Sequence, residues 1–117
     1  MRFESEIPLL DLEIPQGGTV EFIVDVVGGP TDLIGYEGSM QVREMRTSVA
    51  VLAEVSADSI TVNPGTRQVT VRIPSDETSV YDFRAGVYDL LITGPTGDAW
   101  RICEGRAELS LAVTRGA

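Results

Sequence analysis

The stretch from Phe83 to Leu111 constrains the fold of this chain more than any other. Gly86-Val87-Tyr88-Asp89-Leu90-Leu91-Ile92 is followed by Gly94-Pro95-Thr96-Gly97-Asp98 and then by Trp100-Arg101-Ile102-Cys103. This reads as two strands joined by a tight turn, the second strand being unusually long. The same alternation with period two recurs upstream. Val20, Phe22, Val24 and Val26 form one apolar parity, Met40 and Val42 a second, and Val69, Val71 and Ile73 a third. Period two places alternate side chains on opposite sheet faces, so each run offers one face to a core and one to water. Val49 to Val55 is a more continuous apolar run, and its Val content favours a strand.

Turn signals separate these runs at short intervals: Gln16-Gly17-Gly18, Gly28-Gly29-Pro30, Asn63-Pro64-Gly65 and Gly94 to Asp98. Pro64-Gly65 predicts a type II turn, with Gly65 at positive φ, closing a hairpin between Ser59–Val62 and Gln68–Ile73. Ser75-Asp76-Glu77-Thr78-Ser79 opens with a capping-type residue followed by acids. It predicts one short helical turn near 75–81. Seven to eight short strands with short connections predict an all-β, immunoglobulin-like antiparallel sandwich, one domain over 1–117, with 1–6 and 114–117 as frayed ends. Tyr88, two residues before the core position Leu90, fits the tyrosine of an immunoglobulin-type corner or, equally, a half-buried strand aromatic. Trp100 shares strand parity with Ile102 and is expected in the core.

Composition narrows the function. The formal charge is −9, carried against nine arginines with no lysine and no histidine. Such a chain is repelled by nucleic acid and by anionic lipid, so neither is an expected partner. Without imidazole, Ser-His-Asp and Cys-His hydrolysis and Cys/His zinc sites have no ligands or base. The remaining carboxylates are scattered over turns and outward strand positions, so the expectation is no enzyme and no cofactor. Asp32, Asp58, Asp76, Asp82 and Asp98 fall in predicted loops but form no calcium-loop run, and they read as solvent-facing turn acids. The single cysteine, Cys103, lies in a predicted strand and reads as a small hydrophobe. No apolar run reaches the ~20 residues of a membrane span, and the first residues carry no signal-peptide core. Synthesis in the cytoplasm follows as an expectation.

The functional hint lies on the second sheet face. Ile23, Val87 and Leu91 sit on the parity opposite their strands' core residues, where a solitary domain would place polar side chains. Together they predict an interaction face for a partner or for self-assembly, unless the segment Ile7–Ile14 covers them.

The chain also resembles small β-sandwich proteins encoded among the structural genes of tailed bacteriophages and prophages. The residues that carry the resemblance begin with Gln16-Gly17-Gly18-Thr19 and Asp32-Leu33-Ile34-Gly35-Tyr36, leading into Met40-Gln41-Val42-Arg43. They continue through Ile60-Thr61-Val62, Gly65 and Val69-Thr70-Val71 to Gly86-Val87-Tyr88-Asp89-Leu90, Gly97-Asp98, Arg101-Ile102, Glu104-Gly105-Arg106 and Val113-Thr114-Arg115. The opening is similar to the N-terminal domain of baseplate upper proteins, with Ile34 where Thr is commoner. The resemblance spans about residues 14–115. It implies a virion structural protein, made in the bacterial host and located in the virion. As a tail- or baseplate-associated subunit it would bind other virion proteins, as a homo-oligomer or within a symmetric assembly. A capsid decoration protein is the alternative. A tail-fibre assembly chaperone or a carbohydrate-binding module is the alternative of another class. The chain ends soon after the domain, which favours a separate subunit over an adaptor fused to a receptor-binding part.

Overall fold

The computed structural model describes residues 7–113, so the expected frayed ends at 1–6 and 114–117 lie outside the described residues. Eight strands form: β1 Leu12–Pro15, β2 Val20–Asp25, β3 Glu37–Arg43, β4 Ala53–Val55, β5 Ile60–Asn63, β6 Gln68–Ile73, β7 Ala85–Thr93 and β8 Ala99–Ser110. A 3-10 turn at Ala57–Ser59 precedes β5, and α1, Ser75–Thr78, bridges β6 and β7. The strands make two sheets, a five-stranded one in the order β1-β8-β7-β3-β4 and a three-stranded one in the order β2-β6-β5. In immunoglobulin terms the first is a GFC sheet extended by a C′-like strand, β4, at one edge and by β1 at the other, and the second is a BED sheet. The protein is an all-β immunoglobulin-like sandwich.

The alternating residues fill the space between the sheets. Met40, Val42, Tyr88, Leu90 and Ile92 from one sheet meet Val20, Val24, Val69, Val71 and Ile73 from the other, all buried. The layers lie close at Gly38, where an added Cβ would stand 2.2 Å from the Ile60 side chain of the opposite sheet. A methyl group there would force the sheets apart.

Five expectations need correction. The sandwich is not wholly antiparallel: β1 pairs with β8 in parallel, Leu12 opposite Ala107 and Ile14 opposite Leu109. The first and last strands meet without a direct connection, so short loops do not govern their direction. Val49–Val55 supplies only the three residues of β4; Val49 and Val51 are exposed in the loop before it. The β5–β6 hairpin forms, with Asn63 opposite Gln68, but Gly65 does not take the positive φ. Asn63 Oδ1 instead accepts from the backbone N–H groups of Gly65 and Thr66, and Arg67 adopts φ 54°. Helix α1 covers only Ser75–Thr78, with Pro74 at its N-cap position, so Ser75 is its first residue and not its cap.

Tyr88 is the fifth. It is a buried core residue whose hydroxyl donates to the Leu10 carbonyl, 78 residues upstream, so it forms no local corner. Burial raises its pKa well above the usual phenol value. The bond fastens the N-terminal segment to the sheet. Leu10 N–H donates to the Glu104 carbonyl at 2.9 Å, Glu104 N–H donates to the Pro8 carbonyl at 3.1 Å, and Arg106 N–H donates to Asp11 Oδ1 at 3.0 Å. Segment 8–15 therefore runs along the β8 edge.

Candidate functional site

The three residues of the expected interaction face do not lie together. Ile23 sits on the outer face of the three-stranded sheet and is 56% exposed. Val87 and Leu91 sit on the outer face of the five-stranded sheet, on the other side of the molecule. Equal parity assigns a residue to the outward side of its own sheet, but two sheets have two outward sides. The segment Ile7–Ile14 covers neither, since it follows β8.

Val87 and Leu91 are half-buried by their cross-strand neighbours. Val87 lies between Arg43 on β3 and Arg106 on β8, and Leu91 lies between Ser39 and Arg101. Arginine stems shield apolar neighbours while their guanidinium groups stay in water. Between Val87 and Leu91, Asp89 faces Gln41 on one side and Glu104 on the other. The result is an apolar–acidic–apolar line along β7 flanked by arginines.

A cleft of about 140 Å³ opens on this face, lined by Gln41, Arg43, Arg46, Val87, Asp89 and Arg101 together with the edge of Tyr88. A second depression, sharing Gln41, Arg43 and Asp89, continues it past Leu91. Each guanidinium group has partners on the protein. Arg43 donates through Nη1 to the Ser48 and Val49 carbonyls at 2.9 and 2.6 Å, and through Nη2 to Gln41 Oε1 at 2.9 Å. Arg46 Nη2 donates to Glu104 Oε2 at 2.6 Å. Arg101 Nε lies 3.2 Å from Asp89 Oδ2, and its Nη1 lies 3.3 Å from Glu104 Oε1. The hydrogen bond from Arg46 is the main reason the Glu104 carboxyl is held below its usual pKa. The cleft lining contains three guanidinium groups and one carboxylate, in a chain whose net charge is −9. Such a surface can take acidic and amide side chains at the arginines while an apolar group covers Val87 or Leu91.

Trp100 departs from the core expectation. It is 41% exposed. The register slips between Leu90 and Leu91, so that Leu90 opposes Cys103, Leu91 opposes Arg101, and Ile102 is the extra residue of a β-bulge. The bulge leaves Trp100 on the same side of the strand as Ile102, facing inward. Trp100 opposes Ile92 at the end of the sheet, where only the Gly28-Gly29 loop covers it; a Cβ on Gly29 would stand 3.6 Å from the indole. Its Nε1–H donates to Asp98 Oδ2 at 2.8 Å. Asp98 also accepts from the Tyr36 hydroxyl and, at 3.0 Å, from Thr96 Oγ1. The Tyr36 bond is the main cause that lowers the Asp98 pKa, and it raises that of Tyr36 in turn. This carboxylate organises the β7–β8 turn and ties it to the loop before β3.

Leu90 and Cys103 are buried opposite one another, and burial pushes the Cys103 thiol up to about 11. Among the described residues, no three His, Cys, Asp or Glu side chains converge as a metal site. No described helix is long and apolar enough to cross a membrane. The grouping of Arg43, Arg46 and Arg101 was invisible in sequence, because it depends on the β3–β7–β8 register. The only local signal was the placement of Arg43 and Arg101 on the same outward parity as Val87 and Leu91.

The fold and this face define a class: an immunoglobulin-like sandwich with a mixed-charge groove on the outer face of its larger sheet. No protein-family model matches the chain, and no curated protein matches its sequence.

Proposed function

We propose that this chain is a non-catalytic binding subunit that docks another protein on the outer face of its five-stranded sheet. The observation that carries the reading is the groove along Val87, Asp89 and Leu91, an apolar–acidic–apolar line flanked by three guanidinium groups that already have partners. A side chain that is already partnered has less freedom to lose on binding, and Arg43, which bonds three acceptors, is the most constrained of the three. On the resemblance to sandwich proteins of tailed phages, the partner is a second virion protein and the place is the tail or baseplate. A symmetric ring would present the same face from every copy. Among the described residues Trp100 is the one aromatic with a strongly exposed large side chain, and a carbohydrate platform normally offers more.

Two experiments test the reading together. Leu91→Asp should leave the circular dichroism spectrum and the unfolding midpoint close to wild type while abolishing incorporation into particles. Quantitative mass spectrometry of purified particles then locates the protein. A copy number on the scale of the capsid protein would replace the tail placement with a decoration role. Absence from finished particles, with the protein present in the lysate, would overturn the virion reading in favour of an assembly factor.

A further inference from the structure

We propose a second interaction site, independent of the five-stranded face: the free edge of β2 takes up an extended basic strand from a partner protein. Both sheets end in edge strands, and three of the four edges are blunted. β1 has four residues and ends in Pro15, β4 has three residues, and β5 has four residues and runs into Pro64. Short edges and prolines are the usual protection against strand addition. The β2 edge has neither. It runs six residues, Val20–Asp25, in unbroken register with Ile73–Gln68, without proline, glycine or bulge. Among the described residues, nothing bonds its backbone on the side away from β6. In the usual immunoglobulin arrangement the first strand can close this edge; here β1 pairs with β8, and among the described residues the edge stays open.

The outward side chains of β2 say what fits. They are Glu21, Ile23 and Asp25, an acid–apolar–acid row. Arg72 reaches Glu21 at 3.5 Å, but both side chains are mostly exposed. Gln68 bonds Asp25 at 2.9 Å and adds no charge. A second copy of this chain is a poor occupant. Antiparallel pairing centred on Ile23 sets Glu21 against Asp25 of the other copy, and a two-residue slip sets an acid against Ile23. Like charges directly opposite one another destabilise a strand pair. A strand with Lys or Arg opposite Glu21 and Asp25, and an aliphatic residue opposite Ile23, satisfies all three positions. Its backbone completes the ladder that β2 leaves open.

The test uses two synthetic peptides, one centred on Arg-Thr-Val-Thr-Arg and one on Glu-Thr-Val-Thr-Glu, added to the isotopically labelled protein. The basic peptide should shift the backbone amides of Val20–Asp25 and slow their hydrogen exchange, leaving Val87 and Leu91 unchanged. The acidic peptide should do neither. The double variant Glu21→Lys, Asp25→Lys should reverse the preference and weaken the basic peptide about tenfold or more. Equal effects from both peptides, no change in β2 with millimolar basic peptide, or shifts confined to the five-stranded face would each overturn the proposal. So would a dimer of the protein alone with its β2 amides protected.

Discussion

Gly105 should be the position at which one methyl group does most damage to the docking of the N-terminal segment. An added Cβ would lie 2.2 Å from the Leu10 carbonyl oxygen and 2.7 Å from its carbon. Both are backbone atoms and cannot rotate away. Restoring ordinary contact requires a displacement of about 1 Å. Leu10 is also the acceptor for the Tyr88 hydroxyl, so the displacement breaks that bond and leaves the hydroxyl of a core side chain, only 4% exposed, with the weak partner Cys103 Sγ at 3.9 Å. Losing such a partner costs about 1–3 kcal/mol. The neighbouring bond from Leu10 N–H to Glu104 weakens as well. Against this, replacing glycine restricts the unfolded chain and returns about 0.4–1 kcal/mol. Gly105 is not among the positive-φ glycines, so no backbone strain is added. Gly105→Ala should therefore destabilise by up to about 2.5 kcal/mol net, with the melting temperature falling by about 3–6 °C per kcal/mol for a domain of this size. Urea unfolding of Gly105→Ala, Tyr88→Phe and the double variant gives the decisive measurement. Both changes act through one carbonyl group, so the double variant should be little worse than the more damaging single one. Additivity to within about 0.5 kcal/mol would refute the shared mechanism.

Three further outcomes are expected. The folded-state pKa of Asp98 is lowered, chiefly by the Tyr36 hydrogen bond, so its stabilising contribution is present above its ordinary value of 3.8 and is lost as pH falls through the folded value; the stability gap between wild type and Asp98→Asn should shrink over that acidic range in pH-dependent urea titrations, and the emission of the single tryptophan, Trp100, should report the same change. Cys103 is 1% exposed with its thiol pKa raised, so a thiol reagent should label native protein far more slowly than urea-unfolded protein at pH 8, whereas equal rates would place the thiol at the surface. Arg67 donates to the Gly28, Pro30 and Thr31 carbonyls; Arg67→Lys, which cannot fork, should speed hydrogen exchange in residues 26–36 while β5 and β6 stay protected.

Local pattern was enough for the strands and for much of the core. Val20, Val24, Val69, Val71, Ile73, Leu90 and Ile92 all point inward as their parity requires, because a strand has a fixed two-residue period whatever its neighbours are. Hairpins closed by short turns, β5–β6 and β7–β8, were legible for the same reason: their partners are close in sequence and the turn residues set the reversal. The sequence by itself also determined the charge balance and the missing imidazole. Tertiary structure alone decided the rest. Parity sorts side chains into inward and outward but does not say which sheet a strand joins, so Ile23 parted from Val87 and Leu91. Trp100 keeps the inward side of its strand, opposite Ile92, but stands at the end of the sheet where the opposing layer does not cover it. The arginine-flanked groove, the Asp98 cluster and the open β2 edge depend on pairings between distant segments, above all the parallel docking of β1 on β8. Those pairings are selected by burial of the whole sandwich, a cooperative quantity that no short stretch of residues encodes.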